Sequence, residues 1–286
     1  MVARRFWAGL FDVSVKVSRS DLGSPRNSAT EFAVLLNGKT AIIFGAGGAI
    51  GGAVARAFAR EGARVFLSGR TGAPVQAVAD DITAAGGVAD VATVDALDET
   101  AVERYVAEVA GKSGGIDAIL NAIGFQVVQG VPLSDLAPKD FAHPIAVWTT
   151  SQFLTARAAA RHMVKNRSGV ILTLSASPAR LAVALTGGFA VACAAVEGLS
   201  RTLAAELGPQ GVRVVCLRPH RIVETMVDAD FPVPRDEFIG FLEGMTLTKK
   251  LPTLADVANT AVFLASDHAA AMSGAVANLT GGMSVD

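Results

Sequence analysis

A glycine cluster, Gly45-Ala46-Gly47-Gly48-Ala49-Ile50-Gly51, closes the short apolar run Thr40–Phe44 and turns the chain into an Ala-rich helix from about Ala53 to Arg60. Glycines at such a turn accept positive φ and let a ligand approach the backbone. The helix that follows presents unpaired N–H groups and the positive end of its dipole. That combination suits a pyrophosphate. The next apolar run, Arg64–Ser68, arrives at the spacing of a strand–helix–strand unit, so the expected ligand is a dinucleotide. A second group of residues could handle protons. Ser175, Ser177, Gln126, His220, Arg221 and Glu224 all follow apolar runs, and the His220 imidazole titrates near neutrality. The plainer alternatives are a strand-end serine that satisfies backbone and a solvated loop histidine. Cys193 is a thiolate only beside a cation that lowers its pKa, and otherwise an inert thiol in an apolar helix.

Such residues need a framework that brings strand ends together. Apolar runs at 40–44, 64–68, 88–94, 116–120, 169–175, 212–217 and 275–279 alternate with helical patterns. The helical stretches are 53–61, 74–85, 99–111, 134–165, 188–208, 235–243 and 254–265. Strict alternation implies an α/β protein with a Rossmann-like, doubly wound parallel sheet, a single domain of three layers, and ligands outside the carboxyl ends of the strands. That domain is expected over 35–286, in keeping with a chain of 286 residues. Residues 1–34 differ: Arg4, Arg5, Trp7 and Phe11 mix basic and apolar types before the linker-like Ser24–Ser28. They are expected to form a tail or an arm on a neighbouring subunit.

The net charge of -1 gives no reason to invoke nucleic acid or an anionic membrane surface. Cys193 and Cys216 form neither a metal motif nor a disulfide framework, and no metal is expected. The apolar stretch from Leu181 to Val196 is interrupted by Thr186-Gly187-Gly188, which favours a buried or subunit-facing helix over a membrane span. A cytoplasmic protein without membrane partners is expected.

The loop Gly45–Gly51 resembles the Gly-x-x-x-Gly/Ala-x-Gly loop of the short-chain dehydrogenase/reductase family. Asp95, Asn121-Ala122-Ile123-Gly124, Glu197-Gly198-Leu199, Arg218-Pro219 and Leu279-Thr280-Gly281-Gly282 are similar to the family's other landmarks, from about Leu35 to Met283. The resemblance implies a pyridine dinucleotide held by Gly45, Gly47, Gly48, Ile50 and Gly51. Asp95 and Ala96 would lie at the adenine, Asn121 and Gly124 at the nicotinamide ribose, and Pro219 and Thr225 at the nicotinamide. Where NAD users of the family carry an acid, this chain has Gly69 followed by Arg70. A guanidinium pairs with a 2′-phosphate that a carboxylate would repel, so NADP is favoured over NAD. His220 stands where the family's Pro-Gly pair has glycine.

The family's carbonyl chemistry uses an Asn, a Ser, a Tyr and a Lys, with the tyrosine as general acid/base. The flanking segments Ala158–Met163 and Glu197–Leu199 set the register and put Trp148, Ala176, Phe189 and Cys193 at those four positions. The single tyrosine, Tyr105, falls on an early helix. A positioned acid/base is worth ~10²–10⁴ in rate, so ordinary carbonyl reduction is not expected. The four replacements are expected to line an apolar, largely dry cavity, with Ser177 and His220 as the nearest polar candidates. His143, His162 and His268 are expected to be solvated.

Three functions fit this pattern. One is hydride transfer to a substrate that needs no tyrosine, such as a protonated imine or an activated alkene. Another is non-redox work such as cyclisation, isomerisation or elimination. The third is a non-catalytic dinucleotide-binding protein. The family also implies a homotetramer or dimer through the helix 188–208 and the one before it.

Overall fold

The computed structural model describes residues 34–226 and 233–285. The extension expected over 1–34 therefore lies outside the described residues, apart from Val34. All seven apolar runs are strands: β1 (Thr40–Phe44), β2 (Arg64–Gly69), β3 (Val88–Thr93), β4 (Ala118–Asn121), β5 (Val170–Leu174), β6 (Arg213–Pro219) and β7 (Val276–Leu279). They form one parallel sheet in the order β3-β2-β1-β4-β5-β6-β7. The chain winds outward from β1 to β3 and then crosses to β4 on the other side of β1. That reversal opens a crevice above the carboxyl ends of β1 and β4.

Both faces of the sheet are covered, so its central strands are apolar along their length rather than alternating. Every residue of β1, β4 and β5 is buried. Ile43, Leu67, Leu120 and Leu172 pack with α1 (Ala49–Arg60), α2 (Gly72–Ala84) and α7 (Leu254–Ala265). Ile42, Phe66, Ile119 and Ile171 pack with α3 (Glu99–Ser113), α4 (Pro138–Asn166) and the later turns of α5 (Gly188–Leu207). A further helix, α6 (Arg235–Met245), buries none of its residues.

Two boundaries differ from expectation for physical reasons. Helix α1 begins at Ala49 rather than Ala53, because Gly51 and Gly52 belong to the helix itself. A Cβ at Gly51 would lie 2.3 Å from the carbonyl oxygen of Gly45, so the glycine permits the helix to pack on its own entry turn. Helix α4 begins at Pro138 rather than 134, since Asp135 and Leu136 both donate to the Pro132 carbonyl in a preceding turn. Proline at the first helical position loses no hydrogen bond there. Helix α5 is apolar and long enough to pass for a membrane span by length and composition, yet it lays Ala192, Cys193, Val196 and Leu203 into the core.

Candidate active site

The strand-end turn builds a cradle whose shape depends on the absence of side chains. Gly45 has φ of 74°, and a Cβ there would lie 2.5 Å from the Ala122 carbonyl oxygen on the β4 turn. A Cβ at Gly47 would meet Pro74 at 2.8 Å. The Gly48 N–H donates to the Gly45 carbonyl at 3.0 Å, and Gly48 caps α1 without any side-chain bond. The first turn of α1 carries no acid to offset the positive end of its dipole.

Beside this cradle lies a cleft of about 660 Å³. Seven of the expected binding residues line it: Gly45, Gly47, Gly48, Arg70, Asp95, Ala96 and Gly124. Thr71, Pro74, Phe125, Gln126, His143 and Val147 are among the other residues of its walls. His143 is exposed, as expected, and borders the cleft where the first turns of α4 pass along it. His162, further along α4, is half-buried rather than solvated.

The remaining expected contacts lie elsewhere. Ile50 packs against the hydrophobic core from the first turn of α1. Asn121 is buried and turns its side chain inward: Nδ2 donates to Thr155 Oγ1 at 3.2 Å, and Oδ1 accepts from the Ile123 N–H at 3.1 Å. Gln152 Nε2 donates to the Asn121 carbonyl at 3.0 Å. Asn121 therefore shapes the strand-end turn that delivers Gly124. Pro219 is buried at the end of β6, and Thr225 Oγ1 donates to the Ile222 carbonyl at 2.8 Å.

Of the four residues expected to line a dry cavity, two stack on each other and all four belong to or pack against one hydrophobic core. The rings of Trp148 and Phe189 are stacked, with centroids 5.4 Å apart and planes 7° from parallel. Phe125 closes the cluster at 4.9 Å from Trp148 and 6.4 Å from Phe189. It also faces the cleft, so it forms the partition between cleft and aromatic cluster. Cys193 is fully buried, and burial pushes its thiol up to about 12. Ala176 packs against the same core. Trp148 Nε1 is buried and has no hydrogen-bond partner among the described residues. Tyr105 is in the other half of the core, edge-on to Phe44 at 5.7 Å, with its hydroxyl pKa raised by burial.

Two polar arrangements hold the ends of β5 and β6 together. Ser177, buried at the start of a short 3-10 turn after β5, places Oγ 2.8 Å from Nδ1 of His220, which follows β6. The His220 backbone N–H donates to the Leu279 carbonyl of β7 at 3.1 Å. Burial, and secondarily the charge of Arg221, hold the His220 pKa below its ordinary value. Beneath this pair, Glu197 of α5 accepts from Ser175 Oγ at 3.0 Å and pairs with Arg218 of β6 at 3.4 Å, both charges almost fully buried. Sequence reasoning missed this network. Its signal was a carboxylate inside an apolar helix and a guanidinium inside an apolar strand, types that bury only when paired.

Residues 45–284 match the family described as enoyl-(acyl carrier protein) reductase. Among similar proteins, tropinone reductase-like 2 of Erythroxylum coca is 33% identical over 87% of this chain and 92% of its own. D-threitol dehydrogenase of Mycolicibacterium smegmatis is 29% identical over 90% of this chain and 97% of its own. The chain belongs to the short-chain dehydrogenase/reductase family. A gluconate 5-dehydrogenase from Burkholderia cenocepacia, solved in complex with NADP and tartrate, superposes with a TM-score of 0.79 at 25% identity, covering 88% of this chain and 97% of that one. Short-chain dehydrogenases/reductases are oxidoreductases that work with nicotinamide dinucleotides, and the cradle fits such a group. Side chains at Gly45 and Gly51 would obstruct the turn, and the α1 N–H groups have no protein acid competing for them.

Proposed function

We propose that this chain is an NADP(H)-dependent oxidoreductase with a non-standard active site, acting on a small apolar substrate such as an imine or an activated alkene. The observation that supports the reading is the Trp148–Phe189 stack, with Cys193 buried in the same core; the sequence register assigns these three residues to positions of the family's proton-transfer set. The one tyrosine of the chain is committed to the core against Phe44. Neither ring of the stack carries an acid/base that titrates near neutrality, so substrates that need no positioned proton donor are favoured.

The dinucleotide supplies or accepts a hydride when bound. The chain's own residues bind and orient it: the N–H groups of α1 and Gly45–Gly48 for the pyrophosphate, Arg70 for a 2′-phosphate, Asp95 and Ala96 for the adenine, Gly124 for the second ribose and Thr225 for the nicotinamide. Arg70 supports NADP because it lines the cleft and no carboxylate stands at the end of β2. Phe125 and the stack behind it exclude water from the substrate side.

A homo-oligomer joined through α4 and α5 is part of this proposal, supported by Phe153 and Val191, which are 41% and 45% exposed on those helices. Two unpaired cysteines support a cytoplasmic setting.

The test is calorimetric titration with NADPH and NADH, followed by assays with ketones, imines and enones. Tight NADPH binding with consumption only on imines or enones is the expected result, and robust ketone turnover would defeat the reading. Close packing of the aromatic cluster favours a second reading, a dinucleotide-binding protein without catalysis. Tight binding without any product selects it, and product without cofactor consumption selects non-redox chemistry.

A further inference from the structure

Ser177 and His220 have no part in the function proposed above, yet they leave one hydrogen-bonding valence open. The Ser177 hydroxyl is spent on His220 Nδ1 at 2.8 Å. His220 Nε2 is buried and has no hydrogen-bond partner among the described residues. A buried nitrogen without a partner is costly, which makes His220 Nε2 a position where a bound group would gain a hydrogen bond.

The place of the pair in the fold says what that is. In a doubly wound sheet a dinucleotide spans the switch point, with one mononucleotide half over each set of strands. The cleft residues Arg70 and Asp95 follow β2 and β3, which assigns the adenosine half to that side. The other half then extends over the ends of β4, β5 and β6, where Ser177 and His220 meet.

We propose that His220, oriented by Ser177, donates a hydrogen bond from Nε2 to a carbonyl oxygen at the nicotinamide end of the bound dinucleotide. We take the Ser177 hydroxyl as the donor to Nδ1, which puts the ring proton on Nε2, and burial favours the neutral ring. The oxygen belongs either to the nicotinamide carboxamide or to a carbonyl conjugated with the substrate's double bond. The inference rests on the dinucleotide reading above.

The experiment compares Kd values for NADP and for 2′-phospho-ADP-ribose, which lacks the nicotinamide. Wild type, Ser177→Ala, His220→Phe and His220→Gln are measured, with circular dichroism verifying each fold. Cyclohex-2-enone is then titrated into each NADP complex. If the carboxamide is the partner, His220→Phe weakens NADP about 5- to 10-fold and leaves 2′-phospho-ADP-ribose unchanged. Glutamine restores part of that loss, and Ser177→Ala gives a smaller one. If the substrate carbonyl is the partner, both nucleotides bind as before and enone affinity falls instead. No change in either ligand overturns the inference while leaving the dinucleotide reading intact. Failure of the wild type to bind either nucleotide overturns both. Should His220→Phe not fold, the serine and glutamine variants carry the comparison.

Discussion

The indole of Trp148 lies face to face with the ring of Phe189, 5.4 Å between centroids, and is itself only 4% exposed. Packing of this kind stabilises through contact area, and the indole nitrogen contributes no bond to any described residue. Trp148→Ala should therefore cost about 3–5 kcal/mol, the range for emptying a large buried aromatic site. Trp148→Phe keeps a stacking ring and should cost under about 1.5 kcal/mol. Urea unfolding of both variants checks the difference, and equal losses would mean that the indole N–H has a partner after all.

Cys193 and Cys216 test the same packing without mutation. Both thiols are buried, and burial raises both pKa values, that of Cys193 to about 12. A thiol reagent at pH 8 should label neither cysteine in the native protein and both in denaturant. Labelling of Cys193 in the folded state would show that the aromatic cluster opens on the timescale of the reaction.

Much of this was legible before any coordinates. The central strands β1, β4 and β5 are buried on both faces and read as unbroken apolar runs, and the alternation of apolar runs with helical patterns located the other four strands as well. The glycine cradle was legible too, because positive φ at Gly45 and close approach at Gly47 and Gly51 restrict the residue type. Side-chain destinations were not. Nothing local says that Phe125 would close over Trp148, or that Asn121 would spend its amide on Thr155. The Ser177–His220 contact joins residues that follow neighbouring strands far apart in sequence, and the β5–β6 register brings them together. Ile50, assigned to the cofactor from its place in the glycine loop, stands in the first turn of α1, half-buried against the core.

The buried Glu197–Arg218 pair is the clearest stability prediction. Both side chains are almost fully removed from water, and Ser175 supplies a further bond to the carboxylate. Glu197→Gln removes the carboxylate charge that faces the buried Arg218 guanidinium, which should cost up to about 3–5 kcal/mol. The double change Glu197→Leu with Arg218→Met removes both charges and should recover much of that loss. Thermal unfolding of the three variants is the measurement, and a double variant no better than the single one would assign the loss to packing.

Arg70 lines the cleft just beyond β2, where a ribose 2′-phosphate would arrive. Charge-assisted hydrogen bonds are worth about 1.5–3 kcal/mol, so Arg70→Ala should weaken NADPH by about 10- to 100-fold and leave NADH nearly unchanged. Gly45→Ala should weaken both, since the added methyl would meet the Ala122 carbonyl. Equal loss of the two cofactors in Arg70→Ala would locate its effect in the fold rather than at the phosphate.

Acid sensitivity follows from two histidines. His220 is held below its ordinary pKa of 6.5 by burial and by the charge of Arg221, and His162 by burial and by Lys165, with Glu103 acting the other way. Because the folded state resists protonation of these rings, the unfolded chain binds more protons as the pH falls through 6.5. Unfolding free energy should accordingly rise with pH through that region, being lost progressively on acidification until the folded-state pKa is passed. His220→Phe removes one of the two contributions, so its stability should vary less steeply between about pH 5 and 7 than that of the wild type. Denaturant titrations at several pH values give the slopes directly. Parallel slopes would place the His220 ring in water in the folded protein, which would also remove the basis for an unsatisfied Nε2.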